Sequence, residues 1–136
     1  MSELQVELEG LAGDLGIDLF GAADLTTASD LVRAQGGEHI ARFPRAISIG
    51  IWLLDAVVDE LHRHEDLSVI FTYRGLYNSV NANLDRAALM IARRVQEKGF
   101  KAYPIPASQT INPANLEGAF SHKLAAHLSG LSLIHI

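Results

Sequence analysis

A helical stripe in the second half of the chain limits what it can fold into more than any other feature. Val80, Leu84, Ala87, Ile91 and Val95 recur at the spacing that gathers apolar side chains on one helix face. The pattern predicts a long helix over residues 76–98, with Gly99 as its stop. Arg93, Arg94 and Lys98 lie near its C-terminal end, where cations oppose the helix dipole, and Asp85 lies in its earlier half. A helix with one apolar face holds its shape by laying that face on another apolar surface. Leu84, Ala87, Ile91 and Val95 are therefore expected to pack on a sheet.

Residues 45–53 carry the clearest strand pattern. Ile47, Ile49, Ile51 and Leu53 alternate with Ala46, Ser48, Gly50 and Trp52. The small residues of the second set predict close approach by a helix or a ligand. Upstream, Leu4, Leu8, Leu11 and Leu15 form a helical stripe that Gly16 can end, and residues 17–23 read as a short buried strand. Asp24, Thr26 and Thr27 offer N-caps for a second helix through Leu31 and Val32, ending at Gly36 and Gly37. Residues 55–64 suggest a short helix on Val57, Val58 and Leu61. Residues 67–72 fit either a strand or an entry to the long helix. Residues 100–105 are expected to be a third strand, ended by Pro104 and Pro106. A polar connection over 108–115 leads to an amphipathic helix over 119–131, with Phe120, Leu124 and Leu128 on one face and Gly130 as its stop. This order predicts an α/β layered domain with a mixed or partly parallel sheet of about three strands flanked by helices.

Composition removes several functions. The 136 residues contain no cysteine, so this chain cannot form disulfides, thiolate zinc sites or iron–sulfur ligation. A net charge of −5 gives no electrostatic footprint for nucleic acid over the segment as a whole. No apolar run approaches the roughly 20 residues that span a bilayer, and the acidic start lacks the order of a signal peptide. The expectation is a cytoplasmic location. Phosphate-binding glycine loops, Walker motifs and a nucleophile elbow are missing.

Three groups of residues could carry chemistry. Tyr73, Tyr77 and Asn81 are each one turn apart, with Arg74 beside them, and can line a pocket whose ligand accepts hydrogen bonds from the tyrosine hydroxyls. The competing reading is a half-exposed helix start with amphipathic tyrosines. Ser121, His122 and Lys123 stand at a helix start, where backbone N–H groups can meet a phosphate or amide oxygen. His122 and His127 are too far round a helix to chelate one metal. Asp55, Asp59 and His62 have helical spacing, which suits a divalent metal but suits a solvated charged face better.

Ala23-Asp24-Leu25 after the first strand, Phe43-Pro-Arg-Ala-Ile-Ser-Ile-Gly-Ile51, and Phe120-Ser-His-Lys-Leu-Ala-Ala-His-Leu-Ser-Gly-Leu131 resemble segments of epoxyqueuosine reductase-like proteins. That family uses cobalamin and iron–sulfur clusters. In it, the last segment precedes a Gly-Leu-Gly-Trp-Ile-Gly-Lys turn; here Gly130-Leu131 begins such a turn and Ser132-Leu-Ile-His-Ile136 departs from it. The departing residues read like a translated sequencing adaptor. The expectation is a partial cobalamin-binding-like domain over 1–131 and a non-native tail over 132–136. The resemblance implies cobalamin contacts at Tyr73, Arg74, Tyr77, Ser121 and His122, with [4Fe-4S] clusters only in a missing C-terminal part. It also implies a small-molecule or modified-nucleoside substrate, as in tRNA modification. The family's proposed proton donor is an aspartate at the start of the last helix. Asn115-Leu-Glu-Gly-Ala-Phe-Ser-His122 has none in register, and Glu117 is not assigned the role. The departure points to a relative that performs another reduction on the same scaffold. The rival expectations are a non-catalytic ligand- or partner-binding module and a flavin-binding reductase resembling nitroreductases.

Overall fold

A computed structural model describes residues 2–107 of the chain. Helix α1 runs over Glu3–Asp14, and its N-cap Ser2 accepts a hydrogen bond from the Gln5 N–H. Such a cap satisfies one of the donors that a helix start leaves open. Gly16, at φ 84°, turns the chain out of the helix into strand β1, Leu19–Asp24. A short 3₁₀ turn leads into α2 (Ser29–Gly36) and the single-turn α3 (Glu38–Ala41). Strand β2 (Arg45–Gly50) follows, then α4 (Asp55–Val58) and a second 3₁₀ turn. Helix α5 occupies Leu67–Glu97, and Gly99 at φ 90° ends it where the stripe predicted.

The expected three-stranded layered domain is not what forms. Among the described residues the chain is mostly helical, and its sheet consists of β1 and β2 alone, paired antiparallel. The register sets Leu19 against Gly50 and Asp24 against Arg45. The reason for the antiparallel sense lies between the strands. The Leu25 N–H donates to the Pro44 carbonyl at 2.7 Å, so the chain leaves β1 and enters β2 at the same end of the sheet. A parallel partner would need a crossover back to the opposite end. The short α2 and α3 instead fold into a cap beside the strands, with Leu25, Ala28, Val32 and Ile40 buried.

Residues 100–105 also depart from expectation, forming no strand. Pro104 and Pro106 have no N–H to give a ladder, which outweighs the weak alternation around them. This strap is tied down by other means: the Ala107 N–H donates to Asp85 Oδ1 at 2.8 Å. Residues 67–72, ambiguous in sequence, belong to α5. Asp66 caps that start by accepting from the Ser68 N–H and hydroxyl. The helix predicted over 119–131 and the tail over 132–136 lie outside the described residues.

The core sits where α1, the sheet and the later half of α5 meet. Leu8, Ala12, Ile17, Ala87 and Ile91 are its buried members, with Leu84, Val95, Phe20, Ile49 and Ile51 packed around them. The helix face expected to cover a sheet does so, and it covers α1 as well. At the rim, Glu7 bridges two cations of α5, Arg94 Nη1 at 2.9 Å and Lys98 Nζ at 3.2 Å. Hydrogen bonding from Lys98 chiefly, then from Arg94, holds the Glu7 carboxyl below its ordinary pKa against some desolvation.

Candidate functional site

Helix α5 positions the tyrosine group. Tyr77, Leu84 and Ile91 follow one another at two-turn intervals, as do Tyr73, Val80 and Ala87. The tyrosines therefore continue, toward the helix N-terminus, the same face that the later half buries. Their rings lie against each other with centroids 6.3 Å apart. Tyr73 is half-buried, whereas Tyr77 is 47% exposed. Asn81, one turn further on, is half-buried.

Arg74 does not join them. Its guanidinium lies 5.8 Å above the Phe71 ring, a cation–π contact that holds it on an adjacent face. The structure thus brings Tyr73 and Tyr77 together and leaves Arg74 at their edge. Ser121 and His122 lie outside the described residues.

Two neighbouring phenols offer hydrogen-bond donors of the kind a corrin rim can accept from. Two phenol hydroxyls can donate to propionamide oxygens while their rings keep water from the ligand edge. Among the described residues this is a single open wall. Two concavities lie elsewhere: one of about 230 Å³ between Asp14, Leu15, Asn83, Arg86 and Ala87, and one of about 160 Å³ where Asp85, Ala88 and Leu89 meet Pro104, Ile105 and Pro106. Neither includes a tyrosine of the stripe.

Asp55, Asp59 and His62 do not assemble into a centre. His62 Nδ1 lies 2.9 Å from the Asp59 backbone carbonyl, so this ring nitrogen is engaged with the main chain. Among the described residues no group of three or more His, Cys, Asp or Glu side chains is placed to hold a metal ion. Asp24 and Asp66, held below their usual pKa by hydrogen bonds from Thr26 and from Ser68, close turns.

Sequence reading missed three long-range contacts. Asp18 Oδ2 accepts from the Trp52 N–H at 2.8 Å and closes the end of the sheet, while the Trp52 ring stays 68% exposed. Asp85 holds the strap through Ala107. Tyr103, on the strap, meets His39 and Phe43. Only Asp85 gave a signal, as an acid in the earlier half of a helix that gathers Arg93, Arg94 and Lys98 near its end.

No protein-family model, curated protein or solved structure matches this chain. Among the described residues no helix is long and apolar enough to cross a membrane.

Proposed function

We propose that this chain is the cofactor-facing N-terminal portion of a cobalamin-dependent iron–sulfur oxidoreductase resembling epoxyqueuosine reductase. Tyr73 and Tyr77 would form part of one wall of its corrin pocket. The observation that carries the reading is the open tyrosine stripe on α5. An apolar core face ends there in two adjoining phenols, one of them 47% exposed. The sequence segments around Phe43 and Phe120 supply the family to which the wall is assigned.

When bound, cobalamin supplies a cobalt centre able to pass electrons to a substrate. This chain's own residues bind and orient. The Tyr73 and Tyr77 hydroxyls would donate to amide oxygens on the corrin rim, and their rings would keep water from it. With no cysteine present, cluster ligation falls to another part of the enzyme. The substrate proposed is a small molecule or modified nucleoside in a reduction other than that of epoxyqueuosine.

The test is titration of the full-length gene product with cob(II)alamin, followed by absorbance. Saturable changes in the corrin bands are expected. Tyr77→Phe keeps the ring and removes one donor, worth about 0.5–1.5 kcal/mol, so affinity should fall roughly threefold to tenfold. An unchanged corrin spectrum at saturating cobalamin would overturn the reading. Flavin bands in the purified protein would move it to the nitroreductase-like rival, and neither cofactor would leave a binding module.

A further inference from the structure

Away from the tyrosine stripe, three rings meet beneath one guanidinium, with two further exposed cations close to them along the chain. Tyr103 lies between the His39 ring, met edge-on at 5.9 Å, and the Phe43 ring at 6.1 Å. The Arg42 guanidinium stands 5.6 Å from the Phe43 centroid. Arg45 follows Phe43, and Lys101 precedes Tyr103, each by two residues, so the Cα separation in each pair is at most about 8 Å. Tyr103 remains 50% exposed, and Arg42, Arg45 and Lys101 are exposed. Among the described residues none of these three cations enters a salt bridge.

Two acids lie close by. Asp24 opposes Arg45 across the sheet, but its Oδ1 accepts from the Thr26 N–H and hydroxyl. Glu38, beside His39, is engaged by Arg33. Arg42 therefore contributes positive charge at the rings, Lys101 stands two residues from Tyr103, and Tyr103 itself is half open to solvent. A planar aromatic group satisfies the rings and an anion satisfies the cations; a nucleotide carries both.

We infer that this surface binds a free nucleotide, with its base stacked on Tyr103 and its phosphate held by Arg42 and Lys101. The chain's net charge of −5 opposes a long polyanion at a distance, so recognition is local and a duplex is a poor ligand. The inference is independent of cobalamin: it uses other residues on another part of the fold.

The experiment adds adenosine monophosphate, adenosine, inorganic phosphate or short single-stranded oligo(dA) to the chain and follows the Tyr103 and Phe43 ring resonances by NMR. Adenosine monophosphate should shift both rings saturably, and shifts with oligo(dA) but not with adenosine monophosphate would overturn the inference. The double variant Arg42→Ala/Lys101→Ala removes two exposed charges outside any described salt bridge, together with the Arg42–Phe43 contact. It should weaken nucleotide binding at least about fivefold and leave the thermal transition in place. Tyr103→Leu should weaken binding of adenosine as well. The inference is overturned if no nucleotide shifts the rings, if inorganic phosphate shifts them as strongly as adenosine monophosphate, or if the double variant binds like the parent.

Discussion

The two halves of α5 present the same face to different surroundings. In the later half, Ala87 and Ile91 are buried under α1 and the sheet. In the earlier half, Tyr73 and Tyr77 occupy the matching positions, and Tyr77 is 47% exposed. Leu67 and Phe71, toward the opposite side of the helix, are exposed too. Length contributes to the difference, although α4 and the second 3₁₀ turn also meet α5. Helix α5 has 31 residues and extends about 46 Å, whereas the 12 residues of α1 cover about 18 Å. Amphipathic spacing says which way a helix faces; it does not say how far its cover reaches. The uncovered stretch is where residues change from aliphatic to amphipathic aromatic, as suits a surface that meets a ligand.

The largest test of this contrast is Ile91→Asp. An unpaired charge would enter the core at a cost of several kcal/mol, enough to unfold a marginal domain. A retained cooperative thermal transition would show that the later half is not buried as described. Next comes a matched pair. Leu8→Ala removes the α1 side of the same contact and should cost about 2–4 kcal/mol in urea unfolding. Tyr77→Ala, on the same face in the open half, should cost only about 1 kcal/mol, since its ring contact with Tyr73 is what is lost. Equal costs for these two would erase the distinction between the halves.

A smaller effect is expected at the rim, from Glu7→Gln. The folded-state pKa of Glu7 lies below its ordinary value of 4.5, so its contribution is fully present above that value. It is lost as pH falls through the lowered folded pKa. The variant should therefore be less stable than the parent at neutral pH, by less than Leu8→Ala, and the two curves should converge in acid. Parallel curves across that range would mean that Lys98 and Arg94 do not hold the carboxylate.

Much of the local structure was legible in the sequence because it depends on local rules. Gly16 and Gly99 end helices as expected, and the alternation from Arg45 to Gly50 became β2. The start of α5 was less legible. Residues 67–72 combine β-branched and aromatic residues with no helical stripe of their own, and the Asp66 cap and continuity with the rest of α5 decide for helix. The sheet was the main misreading. Nothing in the strand patterns records that the Leu25–Pro44 contact returns the chain to the same end, and two prolines outweighed alternation in the strap. The tyrosine pair followed from spacing alone, but the contact of Arg74 with Phe71 depended on side-chain directions that spacing does not give.

By itself, the sequence determined which residues turn toward one another within an element, where the helices stop, and that this chain ligates no metal through cysteine. Periodicity, glycine conformation and side-chain chemistry act over a few residues, so they can be read without a fold. Among the described residues, only the tertiary structure decided that the sheet has two antiparallel strands, that Tyr77 stays exposed where Ile91 is buried, and that Tyr103 meets His39 and Phe43. Those outcomes depend on contacts between segments far apart in the chain, where the path of the backbone and the lengths of the packed elements determine which surfaces meet.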